Sequence, residues 1–206
     1  MFAAREAQIL TPMSSAAAAA ACAEQYIFAA ARSGSRRATV IRLPVVYATD
    51  PLYAMSDAFP ARLACAARTG SPLASNADPR WPYDLVHIDD VTNAVLRVLA
   101  RPEGSVGEAF NVGGGARFAP SVWDMAQHLA AVGGRAQLLP PLGETKPSPV
   151  LDVTRITRVL GWEPAITWKE GLARLFAVAT PPANLGTTNE ATAQALVAWP
   201  RAEGLA

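Results

Sequence analysis

Cysteine and histidine are scarce in this 206-residue chain, at two each. Cys22 and Cys65 stand too far apart to suggest a disulfide framework, and without a C-x-x-C pair they offer no metal-site spacing. No metal is expected, and a reducing compartment is the default. Surplus charge is lacking too: 18 basic against 17 acidic residues leave +1, which presents no polycationic surface to nucleic acid or to an anionic membrane. Long apolar runs are also wanting. The nearest approach, Ala16 to Ala21, is weakly hydrophobic and closed by Glu24, so it reads as part of an alanine-rich helix rather than a span. Met1 to Leu10 contains Arg5 and Glu6 and has no signal-peptide core. These absences predict a cytoplasmic protein with no membrane segment and no nucleic-acid partner. An organellar presequence stays open as the alternative, because alanine and arginine are frequent.

What is present alternates between helix and strand patterns. From Ser14 to Ala31 nearly every residue is a strong helix former, with Ser14 or Ser15 placed to cap the start and Gly34 just beyond the end. Ala38 to Tyr47 is a β-branched run suited to a strand buried on both faces, interrupted at Pro44. Asp57 to Thr69 reads as a helix stopped by Gly70. Leu85 to Ile88 reads as a short strand, followed by an amphipathic helix from Asp89 to Ala100 with Asp89 as its expected cap. Ala109 to Val112 is a further strand, ended by Gly113, Gly114 and Gly115. Ser121 with Asp124 approximates a capping box for a helix to Val132, which Gly133 and Gly134 terminate. Asp152 is placed to cap a helix ending at Leu160, and Thr167 with Glu170 opens a last one to Ala179. Beyond Pro181 the composition becomes that of a linker and tail. The pattern predicts α/β layering with parallel strands.

A dinucleotide-binding sheet opens with a strand, a glycine-rich turn and a helix whose N-terminus holds the pyrophosphate. No G-x-G-x-x-G or G-x-x-G-x-x-G spacing occurs here, and Gly113 to Gly115 are set too closely to serve. Four other stretches do stand in a telling order. Pro12-Met13-Ser14-Ser15, with Glu24 on the helix behind it, is similar to P-x-S-x-Y-x-x-x-K-x-x-x-E. Val40-Ile41-Arg42 follows. Tyr83-Asp84-Leu85-Val86-His87-Ile88-Asp89-Asp90-Val91 leads to Gly107-Glu108-Ala109-Phe110-Asn111-Val112-Gly113-Gly114-Gly115. Leu160-Gly161-Trp162-Glu163-Pro164 and Glu170-Gly171-Leu172 close the series. Together these resemble the second half of the extended short-chain dehydrogenase/reductase family, the NAD-dependent sugar-nucleotide epimerases and dehydratases.

The resemblance implies a partial Rossmann-type parallel sheet, the second half of one, with a small C-terminal substrate-type subdomain. Residues 1–180 would form this truncated domain and residues 181–206 a linker and tail. In the family a tyrosine moves the proton, while a lysine four residues on lowers its pKa and holds the cofactor ribose. Unassisted tyrosine, near about 10, is a poor base at neutral pH. Those two positions fall on Ala16 and Ala20, and Tyr26, the nearest phenol, is followed four residues later by Ala30. The family's phosphate-binding arginines fall on Tyr83 and on Pro141 of Pro141-Leu142-Gly143-Glu144; the asparagine and glycine at the strand end fall on Val45 and Ala48. Guanidinium donors substitute poorly, so no substrate-binding, cofactor-binding or catalytic residue is expected at these positions. Arg80 stands close by in sequence, but its spacing does not require a role. NAD(P) is expected only if the other half is supplied by another chain.

Structural roles account for the remaining candidates. His87, Asp89 and Asp90 are expected to order a strand-to-helix turn rather than bind metal. Gly113 to Gly115 form a tight turn, Ser14 and Ser15 are caps, Cys22 is a small buried residue and His128 a surface one. The packing residues His87, Asp89, Asp90, Asn111 and Trp162 all match the family. The functional expectation is therefore a non-catalytic member, a pseudoenzyme acting as a structural or interaction component. It would associate with a protein partner or with itself through the Ser14 to Ala31 helix and an exposed sheet edge, giving an oligomer. Two rivals remain: an epimerase/dehydratase homologue whose nucleotide-binding half lies elsewhere, and a binder of nucleotide or sugar without catalysis.

Overall fold

The computed structural model describes residues 3–74, 78–139 and 149–179. Pro141 to Glu144 and the predicted tail lie outside the described residues. The alanine-rich run forms α1 (Ser15–Arg32), and Ser14 is its cap, its Oγ accepting from Ala17 N at 3.1 Å. The predicted long strand becomes β1 (Val40–Arg42) and β2 (Val45–Tyr47), parted at Pro44, which has no N–H to give a ladder. After a short α2 (Pro51–Ala54), α3 (Phe59–Thr69) starts later than Asp57 because Pro60 suits a first helical turn. It ends at Gly70, whose φ is 70°.

Next come β3 (Pro72–Ala74), β4 (Leu85–His87) and α4 (Ile88–Ala100). Here the expected cap is corrected. His87, not Asp89, holds the cap position, and its ring Nδ1 accepts from Asp89 N at 3.2 Å. Then follow α5 (Pro102–Ser105), β5 (Ala109–Asn111), α6 (Gly115–Phe118), α7 (Val122–Ala131) and β6 (Gln137–Leu139). The Ser121/Asp124 capping box on α7 is complete in both directions. The last two helices are α8 (Thr154–Leu160), whose cap position is Val153 rather than the expected Asp152, although Asp152 Oδ1 accepts from Thr154 N, and α9 (Trp168–Val178), capped by Thr167.

All three strand pairs are parallel: β1 with β5, β2 with β4, and β3 with β6. The last pair had no clear sequence signal. Fold class is therefore α/β with short parallel strands. Alternation along β1 divides the two faces. Ile41 packs into a core with Val91, Ala94 and Val98 of α4, Phe110 of β5 and Ile156 and Leu160 of α8, while Arg42 turns the other way to meet Glu24 on α1. A second core gathers Tyr47, Leu63, Met125, Leu129, Leu172 and Leu175 among α3, α7 and α9. Among the described residues no helix is long and apolar enough to cross a membrane, and no group of acidic, histidine and cysteine side chains could hold a metal ion.

Two expectations about single residues change. Cys22 is exposed rather than buried: the side of α1 turned inward carries the buried Glu24 with the half-buried Ala21, Ile27, Phe28 and Ala31, and Cys22 lies off it. His128 is half-buried rather than a plain surface residue: its Nε2 lies 2.8 Å from Lys169 O and its ring meets Trp168 edge-on.

Candidate functional site

The two positions at which the sequence resemblance sets the family's proton-transfer pair lie on the first turns of α1. Ala16 and Ala20 are exposed there, and methyl side chains can neither give nor take a proton. One helical turn on, Glu24 is 8% exposed and takes the Arg42 guanidinium as a fork: Nε reaches Oε2 at 2.9 Å and Nη2 reaches Oε1 at 2.5 Å. Glu24 raises the Arg42 pKa against the opposing effect of burial, and Arg42 Nη1 also donates to Glu6 O at 3.1 Å. The pair therefore locks the helix, the strand and the N-terminal segment together.

The N-terminal segment has a part that its composition did not announce. Ala4 bridges Leu151 in parallel, with Ala4 N donating to Val150 O at 2.7 Å and Asp152 N to Ala4 O at 2.8 Å. Asn111, 1% exposed, donates its amide to Ala4 O and Asp152 O, while its backbone N–H donates to Glu6 Oε1. Asn111 is thus a clamp between β5, the N-terminal segment and the approach to α8.

Asp84 organises the triple-glycine turn. Its Oδ1 accepts from Gly114 N at 2.9 Å and its Oδ2 from Leu151 N at 2.8 Å. A Cβ on Gly113 would meet Asp84 Oδ2 at 2.8 Å, and one on Gly114 would meet Leu85 O at 2.6 Å. Glycine is therefore required for close approach to a protein carboxylate. Burial pushes the Asp84 pKa up, against the pull of the Leu151, Gly114, Gly115 and Leu85 amides. A group raised in the folded state stabilises most below its unfolded pKa, and that contribution is lost as pH rises through the folded pKa. Asp124 and Asp152 are lowered, by Ser121 and Thr154 respectively, so their contributions are present above the ordinary aspartate value and lost as pH falls. Urea unfolding at a series of pH values is expected to show wild type losing ground relative to Asp84→Asn as pH rises from the acid side of this window. A constant gap would refute the burial effect.

His87 is 2% exposed, with Nε2 3.3 Å from Thr49 Oγ1 and its ring edge-on to Tyr47 at 5.2 Å. Asp90 accepts Ala165 N and Ile166 N on its two carboxylate oxygens, while its backbone O accepts Trp162 Nε1 at 3.0 Å. These residues tie α4 to the segment entering α9.

Of the residues that the sequence resemblance sets at substrate positions, Val45 is half-buried in β2 opposite Leu85, and Tyr83 is half-buried beside the Phe59 ring at 5.2 Å. Burial raises the Tyr83 pKa. Arg80 lines an open cleft of about 490 Å³ with Asp78, Pro79 and Trp123. Its guanidinium is engaged by Asp78 at 3.1 and 2.8 Å, and Arg80 holds the Asp78 pKa down to about 2. Ala16 and Ala20 give a ribose no donor, and the Gly114 amide is already given to Asp84.

Residues 3–113 match the model of the NAD dependent epimerase/dehydratase family. A UDP-glucose 4-epimerase of Mycolicibacterium smegmatis is 37% identical over 113 residues, which is 53% of this chain and 34% of that protein. The structure of the Thermotoga maritima UDP-glucose 4-epimerase with UDP-glucose has a TM-score of 0.73 at 27% identity, covering 86% of this chain and 57% of the other. The Bacillus cereus UDP-glucuronic acid 4-epimerase, in complex with UDP-glucuronic acid and NAD, reaches 0.73 at 18% identity over 87% of this chain and 56% of the other, a likeness of fold alone. The chain spans about a third of the curated relative's length and little more than half of these structures.

Proposed function

The chain belongs to the NAD dependent epimerase/dehydratase family, and from that membership we propose that it is a non-catalytic member serving as a structural or interaction component. One observation carries the reading: alanine stands at both positions, 16 and 20, where the family's proton-transfer pair belongs. General acid–base catalysis contributes about 10²–10⁴-fold to rate, and a side chain with no titratable atom forfeits it. The exchange of both phosphate-binding arginines for Tyr83 and Pro141 supports the same conclusion, since a nucleotide diphosphate is held by such paired donors. A cytoplasmic setting is part of the same proposal.

A second reading has one observation in its favour. The edge of β1 away from β5 carries no strand among the described residues, which suits an enzyme completed by a nucleotide-binding half from another chain, with NAD(P) bound there. Titration calorimetry of the chain with NAD and with UDP-glucose tests the first reading at the level of binding. No saturable heat is expected for either ligand. Micromolar binding of NAD would defeat the non-catalytic reading's account of Ala16 and Ala20.

A further inference from the structure

Six arginines stand at the end of the molecule where β1 and β5 begin. They come from three segments: Arg32, Arg36 and Arg37 between α1 and β1, Arg101 at the end of α4, and Arg155 and Arg158 on α8. Packing brings the segments together. Gly107 N donates to Ala38 O at 2.8 Å, Thr39 Oγ1 donates to Ser105 O at 2.7 Å, and a Cβ on Gly107 would meet that of Ala31 at 3.9 Å. A Cβ on Gly104 would meet Val159 at 3.5 Å, next to Arg158, and Arg155 pairs with Glu108. The face therefore runs from the end of α1 across the start of β5 and onto α8, on the β5 side of β1.

Charge is concentrated here. Within residues 32–38, 101–108 and 154–159 six arginines stand against two glutamates, Glu103 and Glu108, which leaves +4 in a chain whose formal charge is +1. Glu108 is engaged by Arg155, whereas Arg32, Arg36, Arg37, Arg101 and Arg158 are exposed and take no carboxylate among the described residues. Three helices, α1, α4 and α8, end on this face, and their carbonyl ends offset about half a charge each, so an excess of roughly +2.5 remains. The helix ends account for Arg32, Arg101 and Arg158. They do not account for Arg36 and Arg37, which belong to no helix.

We propose that this face binds a short acidic segment of another protein. Guanidinium groups take carboxylates as two-pronged forks, and five of the six are free to do so. The length of the partner follows from the charge of the remainder. Outside the three segments the chain has 12 basic and 15 acidic residues, a balance of −3, so a long uniform polyanion that overran the face would meet like charge. The segments hold no aromatic residue on which the base of a single-stranded nucleic acid could stack. They also lack an exposed apolar side chain to enter a membrane surface: Val106 and Val159 are half-buried and Ile156 is buried.

Binding at this face goes beyond the non-catalytic reading and fails separately from it, since a chain that ignored acidic peptides would leave the question of turnover untouched. Fluorescence anisotropy of a fluorescein-labelled oligoglutamate peptide, titrated with the full chain at low ionic strength, is expected to show saturable binding. Raising salt to about 0.5 M should weaken it about tenfold. Arg36→Glu with Arg37→Glu, at exposed loop positions, should also weaken it about tenfold, and the milder Arg101→Gln with Arg158→Gln about threefold. Arg62→Glu with Arg117→Glu, exposed on α3 and α6, makes the same change in net charge as the first pair and should leave affinity within about twofold. Absence of saturable binding, indifference to both face variants, an equal loss in the control pair, or tighter binding of duplex DNA or phosphatidylserine vesicles than of the peptide would each overturn the proposal.

Discussion

Gly171→Ala is expected to destabilise the fold by roughly 3 kcal/mol, at the upper end of the overpacking range. Two effects of opposite sign compete at this position. Gly171 sits in the first turn of α9, and helix propensity alone would make alanine better than glycine there by about 1 kcal/mol. Packing decides otherwise. A Cβ would land on the Tyr47 hydroxyl and within 2.6 Å of two of its ring carbons, and Tyr47 is 2% exposed, held between β2 and the second core. The Tyr47 hydroxyl is itself buried without a hydrogen-bond partner, and burial pushes its pKa far above the ordinary phenol value. Tyr47→Phe should therefore be neutral or slightly stabilising, since it removes an unsatisfied polar atom. The double variant should recover only part of the Gly171→Ala loss, because the ring carbons remain. Urea unfolding of the three variants measures each term, and a stabilised Gly171→Ala would mean that α9 does not lie on Tyr47.

The second large effect is predicted at Trp162. It is the largest of the fully buried side chains and packs in the core between α4 and α8. Truncation to alanine is expected to cost about 4 kcal/mol through lost burial and the cavity left behind. Its indole also satisfies Asp90 O, and Asp90 in turn anchors the Ala165 and Ile166 amides, so the loss should spread. Hydrogen exchange should report faster opening of α8 and of residues 163–167 than of α7, which belongs to the other core. Trp162→Phe keeps much of the volume and forfeits the hydrogen bond, so about 1–2 kcal/mol is expected. Equal costs for the two variants would show that the hydrogen bond rather than the packing matters here.

How legible this was from sequence depends on how local each signal is. Ser14, the Ser121/Asp124 box, Thr167, Gly70 and the break at Pro44 were readable, because caps and breakers act within one turn of their own position. The family match rested on ordered motifs and holds over residues 3–113. Less legible were features made by distant partners. The β3–β6 pair consists of short segments with neither strong alternation nor a turn between them. The Ala4–Leu151 bridge, the Asn111 clamp and the Glu24–Arg42 fork join residues far apart in the chain. Asp89 falls inside the first turn of α4, and the cap lies two residues earlier at His87, whose imidazole Nδ1 accepts from the Asp89 amide. Cys22 was read as buried because an alanine-rich helix suggests an inner position, yet composition cannot tell which flank is covered.

For the site, the two alanines were visible as residues, and the structure adds what surrounds them. Their helix is held by a salt bridge one turn away, and the Gly114 amide of the glycine turn is given to Asp84. The lesson is that a retained scaffold is recognised by its close approaches, at Gly113, Gly114 and Gly171, which serve folding whether or not chemistry survives.

The measurement that bears most directly on the non-catalytic reading is turnover itself. The full chain, incubated with NAD and UDP-glucose and followed by proton NMR, is predicted to leave the sugar at background, with no appearance of the 4-epimer. Time-dependent formation of that epimer, proportional to protein concentration, would contradict it and would require a proton-transfer group other than positions 16 and 20.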